Sequence, residues 1–209
     1  GGADVLLLFL ESYGSVTRDH PQLAEALRPA RERLARATEE AGFGAVSAFV
    51  RSPTFGGGSW LAHASLLSGL AMDDPALYHL LLTTDRRTLV DHFHDQGYET
   101  VGWMPGLHKD WPEGSFYGYD RIIDADALEY PGPIFGFWRI PDQYSIARLA
   151  DRELRDGPRK PRFIVFPTIT SHVPFRPLPP YVRDSARLLH PDAFDPESVR
   201  RALAQAADW

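Results

Sequence analysis

The 209-residue chain is 44% apolar and 12% aromatic, enough to bury one substantial core and consistent with one domain or part of one. Its formal net charge of -6 gives no basic footprint for nucleic acid, and the lack of cysteine excludes a disulfide framework, a thiolate zinc site and a cysteine nucleophile. No apolar run approaches the roughly 20 residues that span a bilayer, and no basic-then-apolar leader precedes the first strand.

In chain order, Val5 to Leu10 is a continuous apolar run, the pattern of a strand covered on both faces, and it ends at the carboxylate of Glu11. Leu23, Leu27 and Leu34 recur at helical spacing between Pro21 and Ala41, ahead of Gly42 and Gly44, which predicts an amphipathic helix with a stop signal. Ala45 to Val50 reads as a second strand, and Ser52 to Gly58, with Pro53 and a run of glycines, as a loop. Helices are predicted over Trp60–Leu70 and Asp85–Gln96, and a strand over Tyr98–Trp103. Met104 to Gly118 reads as a long surface loop, where function tends to sit.

A further strand starts at Arg121 in RIIDA, a helix covers Asp142–Arg155, and the basic GPRKPR leads into the apolar strand FIVFPTIT. The tail from Pro196 to Trp209 is helical in pattern. Strands alternating with helices in this way predict an α/β fold with a mainly parallel sheet flanked by helices.

Ligand sites in open α/β sheets lie beyond the carboxyl ends of the strands. Here Glu11, the GGGS turn at Ser59, and Thr170, Ser171 and His172 fall at such ends. Each has a plain reading beside a chemical one. Glu11 is a solvated loop carboxylate or helix cap, or else a ligand for a hard divalent cation, which prefers carboxylate oxygen. Ser59 is an N-cap, or else a nucleophile at a helix N-terminus where glycines let an anion approach closely.

His172 is structural, or else donates a hydrogen bond to a phosphoryl oxygen or protonates a leaving group. In DHFHD, His92 and His94 do not share a helix face, so that cluster reads as a solvated surface rather than a metal site. Trp103, His108, Lys109 and Trp111, in and next to the loop after the Tyr98–Trp103 strand, are the candidates for substrate recognition.

Taken together, DVLLLFLES, SWLAHASLLSG, GYETVGW with GYDRIID, IPDQYSIARLADREL and FIVFPTITSHVPF resemble, in order and spacing, the alkaline phosphatase and sulfatase superfamily and its lipoteichoic acid synthase-like branch. The resemblance runs over nearly all of residues 1–209 and implies the N-terminal portion of a catalytic domain. It maps a metal-binding Glu onto Glu11, the nucleophile, which also ligates metal, onto Ser59, and a substrate-binding His onto His172. It implies a divalent cation (Mn, Mg, Zn or Ca), a phospho- or sulfo-ester substrate, lipid-linked or glycan, and a place on the extracytoplasmic side of the cell membrane, with membrane helices upstream of Gly1.

Two departures qualify what is expected. Sulfatases mature a Cys or Ser in a C-x-P-x-R or S-x-P-x-R context to formylglycine, whereas this chain has Ser59, Leu61 and His63. Without the Pro and Arg, phosphoryl or phosphoglycerol transfer through an unmodified serine is expected ahead of sulfate-ester hydrolysis, although the lipoteichoic acid synthases use Thr there. The family also completes its metal site with a later Asp-His pair, and no segment up to Trp209 matches it. The expectation is therefore a metal-dependent phosphotransferase or phosphoesterase, or a sulfatase-like hydrolase, incomplete at its C-terminal side. The alternatives are a non-catalytic anion-binding module of the same fold, or a sulfatase with an atypical serine.

Overall fold

In the computed structural model, residues 2–136, 139–173 and 175–207 are described. The apolar runs become four parallel strands, β1 (Val5–Phe9), β2 (Glu99–Trp103), β3 (Arg121–Ile123) and β4 (Arg162–Pro167), in the order β1-β4-β2-β3. The helices are α1 (Val16–Asp19), α2 (Pro21–Glu40), α3 (Ser59–Ser68), α4 (Pro75–Leu81), α5 (Leu89–Asp95), α6 (Gly114–Tyr117), α7 (Asp142–Glu153) and α8 (Pro196–Ala207). The expected α/β fold with a parallel sheet flanked by helices is the one observed. Of the helix expected over 196–209, residues 208 and 209 lie outside the described residues.

Contacts divide the chain into two units, one made of the residues up to Glu11 and from Pro53 onward, the other of Ser12–Ser52. In the second unit, Arg31 at the middle of α2 donates to Thr17 O of α1 at 2.6 Å. Arg28 pairs with Glu25 and Glu32 on the α2 surface. No residue of α2 is buried, so the apolar stripe of Leu23, Leu27 and Leu34 forms no core of its own.

The sheet of the first unit has a core on each face, because alternate side chains of a strand point opposite ways. Phe163 and Val165 of β4 join Leu61, Ala64 and Leu67 of α3 and Tyr78 of α4, with Val5, Leu7 and Phe9 of β1 packed alongside. Ile164 and Phe166 join Val101 and Trp103 of β2, Ile123 of β3, and Tyr144 and Leu149 of α7 on the other face. The register Leu7↔Val165, Val101↔Ile164 and Trp103↔Ile123 aligns these layers.

At the amino ends of β2, β3 and β4, a buried ion network fastens the sheet to the end of α7. The Glu153 carboxylate, 2% exposed, accepts from Arg121 at 2.7 and 3.2 Å and pairs with Arg162 at 3.2 Å. Glu99 accepts from the same two arginines at 2.7 and 2.8 Å. Burial works against the Glu99 carboxylate's charge, but the Arg162 and Arg121 hydrogen bonds outweigh it and hold the pKa below the ordinary value.

Three expectations are corrected. Ala45 to Val50 is not a strand: Val46, Phe49 and Val50 are 103%, 72% and 89% exposed, so the run has no sheet face to bury. β1 is not covered on both faces, because it is the edge strand and Leu6 and Leu8 belong to neither core. The 104–118 stretch is not a surface loop throughout, since Met104, Gly114 and Tyr117 are buried and α6 forms within it. DHFHD lies at the surface as expected, with His92, His94 and Asp95 exposed; its Asp91 also accepts from Thr88 N at 2.6 Å in a reciprocal N-terminal cap, and Asp95 pairs with Arg87. α4, not predicted, starts at Asp74-Pro75, where Asp74 accepts from Ala76 N at 2.6 Å.

Removing the Glu153 carboxylate leaves Arg121 and Arg162 to share Glu99 and strips a buried acceptor from both, which costs more than deleting an exposed pair. Glu153→Ala is therefore expected to lower the unfolding free energy by about 3–5 kcal/mol in urea titrations. Arg155→Ala, which breaks only the surface pair with Asp151, is expected to cost less than about 1 kcal/mol.

Candidate functional site

The carboxyl ends of β1 and β4 are tied together by short polar side chains. Thr168 N donates to Phe9 O at 2.9 Å, continuing the ladder one step past β4. The Thr168 hydroxyl donates to Phe9 O at 3.2 Å and accepts from Glu11 N at 3.0 Å, and Ser171 Oγ donates to Glu11 O at 2.6 Å. From the far side, the Asp142 carboxylate at the start of α7 accepts from Ile169 N and Thr170 N, each at 2.8 Å. Burial pushes the Asp142 pKa up, and those two amide bonds oppose the rise.

These bonds fix the backbone of Glu11 beside the turn that carries His172. The turn closes through His172 N to Ile169 O at 3.1 Å and Phe175 N to His172 O at 2.8 Å. His172 Nδ1 lies 2.7 Å from Val173 O, so it carries the proton and donates, and in the neutral ring Nε2 is the acceptor.

α3 brings Ser59 to the same end of the sheet. Gly58, with φ 65°, is the N-cap in a left-handed conformation that favours glycine, so Ser59 is the first helical residue rather than the cap. One turn on, His63 shares its helix face. The His63 ring packs on Phe9 with centroids 4.1 Å apart, and it feels the charge of Glu11, two residues past the end of β1. Burial lowers the His63 pKa, and Glu11 only partly offsets that; the ring is neutral at neutral pH.

Beside this helix end is a cavity of about 430 Å³. Trp60, His63 and Leu67 of α3, Tyr78 and His79 of α4, Met104 and Leu107 after β2, Trp111, Glu113, Tyr117 and Tyr119, and Val165 and Pro167 of β4 line it. Burial pushes the Tyr78 and Tyr117 phenol pKa values up, and the two rings and Glu113 act electrostatically on one another in this wall.

Glu11 follows the carboxyl end of β1 and His172 that of β4, as expected from the sequence; the strand expected before Ser59 is absent, and Ser59 instead opens α3, whose His63 packs on Phe9 at the end of β1. The proposed recognition residues do not form one group. Trp103 is fully buried in the core under α7, because it is the last residue of β2 and not part of a loop; no substrate reaches it there. His108, whose Nε2 is buried with no partner, lines a separate cavity of about 320 Å³ with Asp126, Tyr130 and Arg139. Lys109 lines a shallow cleft with Asp110 and Asp124. Trp111 alone of the four lines the main cavity.

The residues that sequence reasoning passed over are His63 and the Tyr78–Tyr117 pair. For His63 the signal is the Ser-x-x-x-His spacing in SWLAH, which places both side chains on one face of any helix. Tyr78 comes from a helix that was not predicted.

A divalent cation needs several convergent hard or nitrogen donors. Among the described residues no group of three or more His, Cys, Asp or Glu side chains is placed to hold a metal ion. Glu11, Ser59 and His63 offer one carboxylate, one hydroxyl and one ring already stacked on Phe9, a donor set that does not by itself fit such an ion.

No family model matches the chain, and no curated protein matches it. Among solved structures, a protein in the alkaline phosphatase superfamily from Vibrio parahaemolyticus is similar, at 19% identity and a TM-score of 0.47, over 99% of this chain and 50% of that one. The chain thus spans half the length of the structure it matches. The likeness is one of fold, and no residue role is taken from it.

A buried imidazole that is easier to protonate in the unfolded chain than in the folded one contributes stability that is present above the unfolded pKa of about 6.5 and is lost as pH falls toward the folded value. Wild-type protein is therefore expected to lose more unfolding free energy than His63→Gln between about pH 7 and pH 5, compared in parallel urea titrations.

Proposed function

We propose that residues 1–209 are the N-terminal portion of the catalytic domain of a phosphotransferase or phosphoesterase that uses Ser59 as its nucleophile on a phosphodiester or related ester. The observation that carries this reading is the position of Ser59. It is the first residue of α3, one turn before a neutral His63 that packs on Phe9 and feels the charge of Glu11.

In the proposed reaction the Ser59 oxygen attacks phosphorus in line. A serine O–P bond forms as the P–O bond to the leaving group breaks. His63 takes the hydroxyl proton, which it can accept because burial keeps its ring neutral. The Ser59 and Trp60 amides, which the first turn of a helix leaves without intrahelical acceptors, face the negative charge that builds on the phosphoryl oxygens. His172, its Nδ1 committed to Val173 O, donates from Nε2 to a phosphoryl oxygen, or gives its proton to the leaving-group oxygen, only when the ring carries a proton on both nitrogens. Water then releases the phosphoryl group, or an acceptor hydroxyl takes it.

The family resemblance would place a divalent cation (Mn, Mg, Zn or Ca) on Glu11 and Ser59, where it would act as a Lewis acid on the phosphoryl oxygens. Because the described residues do not complete a donor set, no step is routed through it. A location outside the cytoplasmic membrane, next to a lipid-linked or glycan substrate, rests on the same resemblance. No helix among the described residues is long and apolar enough to cross a membrane.

The test is turnover of bis-p-nitrophenyl phosphate and of p-nitrophenyl sulfate, with each cation supplied in turn, by this chain and by the longest gene product that carries it. Ser59→Ala is expected to lower phosphodiester turnover about 10³-fold or more, and His63→Ala about 10²-fold or more. Turnover unchanged in Ser59→Ala would overturn the nucleophile assignment. Phosphate-analogue binding without turnover in any form of the protein would favour a binding module of the same fold.

A further inference from the structure

The cavity beside α3 has walls that the proposed chemistry at Ser59 does not use. Trp60 and Tyr78 meet edge to face with ring centroids 4.7 Å apart, and Trp111 and Tyr117 lie near parallel at 5.6 Å. Trp111 reaches this position because Gly114 has no side chain: a Cβ there would come within 2.7 Å of the indole. Among the described residues no lysine or arginine lines the cavity, and Glu113 is the only carboxylate that does. His79 is at the exposed rim, and the inner imidazole, His63, is neutral at neutral pH.

Aromatic faces and a single carboxylate attract a cation twice over, through the ring quadrupoles and through direct charge. The same lining repels an anion and gives a neutral alkyl group only its hydrophobic contact. The Tyr119 hydroxyl, buried in the wall with no partner, could be satisfied by an oxygen carried next to the charged nitrogen.

We infer that this cavity binds an organic ammonium group, with its nitrogen between the Trp60–Tyr78 and Trp111–Tyr117 faces and near Glu113. As a binding site it stands without the reading of Ser59. As a statement about substrate it rests on that reading, because Trp60 and His63 belong to the helical turn that begins at Ser59, so an ester joined to the ammonium group would extend toward the serine.

Choline and its neutral carbon isostere 3,3-dimethylbutan-1-ol separate charge from shape. The experiment is isothermal titration of each into the protein, with tryptophan fluorescence as a second readout. Choline is expected to bind saturably and about tenfold more tightly than the isostere. Glu113→Gln and Trp111→Leu are each expected to weaken choline about five- to tenfold, while Glu113→Gln leaves the isostere unchanged.

Equal affinity for the two ligands would overturn the inference in favour of a plain apolar pocket. So would no binding of either by protein with a native circular dichroism spectrum, or choline affinity indifferent to Glu113→Gln. The titration needs no turnover, so Ser59→Ala with choline binding intact would separate failure of the catalytic reading from failure of this one.

Discussion

The Thr168 hydroxyl stands at the one place where the edge strand could come loose from the sheet. β1 has a single neighbour, β4, and beyond Phe9 no strand ladder remains to hold the chain. By donating to Phe9 O and accepting from Glu11 N, Thr168 replaces the missing ladder with one side chain. Ser171 and Asp142 extend the same device to Glu11 O and to the amides of residues 169 and 170. The position of Glu11, the turn bearing His172, and the Phe9 surface on which His63 rests all depend on it. The two ends of the sheet are thus held differently, by a partly buried charge network at the amino ends and by neutral hydroxyls with one acceptor carboxylate at the carboxyl ends.

Much of this fold can be read from local pattern. The four strands begin or end within a few residues of their apolar runs, and α3 and α7 follow their predicted spans, because burial periodicity and caps are local signals. Ala45 to Val50 failed for the opposite reason: an apolar run states that a segment can pair, and says nothing of whether a partner is within reach. Leu6 and Leu8 make the same point within a true strand, since pattern alone does not tell an edge from a centre. Trp103 was misplaced through a boundary, one residue deciding between the end of β2 and the start of a loop.

The cavity lining was less legible than the polar residues at the element ends. Glu11, Ser59 and His172 each follow or open an element with a clear pattern, so topology carries them to one end of the sheet. The cavity instead draws on α3, α4, the segment from Met104 to Tyr119, and β4, pieces separated by long stretches of chain. Only packing brings Tyr78 and Tyr117 together, and only the missing side chain of Gly114 lets Trp111 lie where it does. Such a wall has no spacing to detect. His63 lies between these cases, visible as a helical partner of Ser59, with its burial against Phe9 known only from the fold.

The central claim is that Ser59 forms a covalent bond to the phosphorus of its substrate. Acid quenching a reaction with a phosphodiester at short times, followed by mass analysis of the peptide containing Ser59, tests it most directly. The account predicts a phosphoryl-group mass increment on Ser59 that appears with substrate and is absent from Ser59→Ala. Turnover with the Ser59 peptide unmodified at every quench time, or with the increment on another residue, would contradict it.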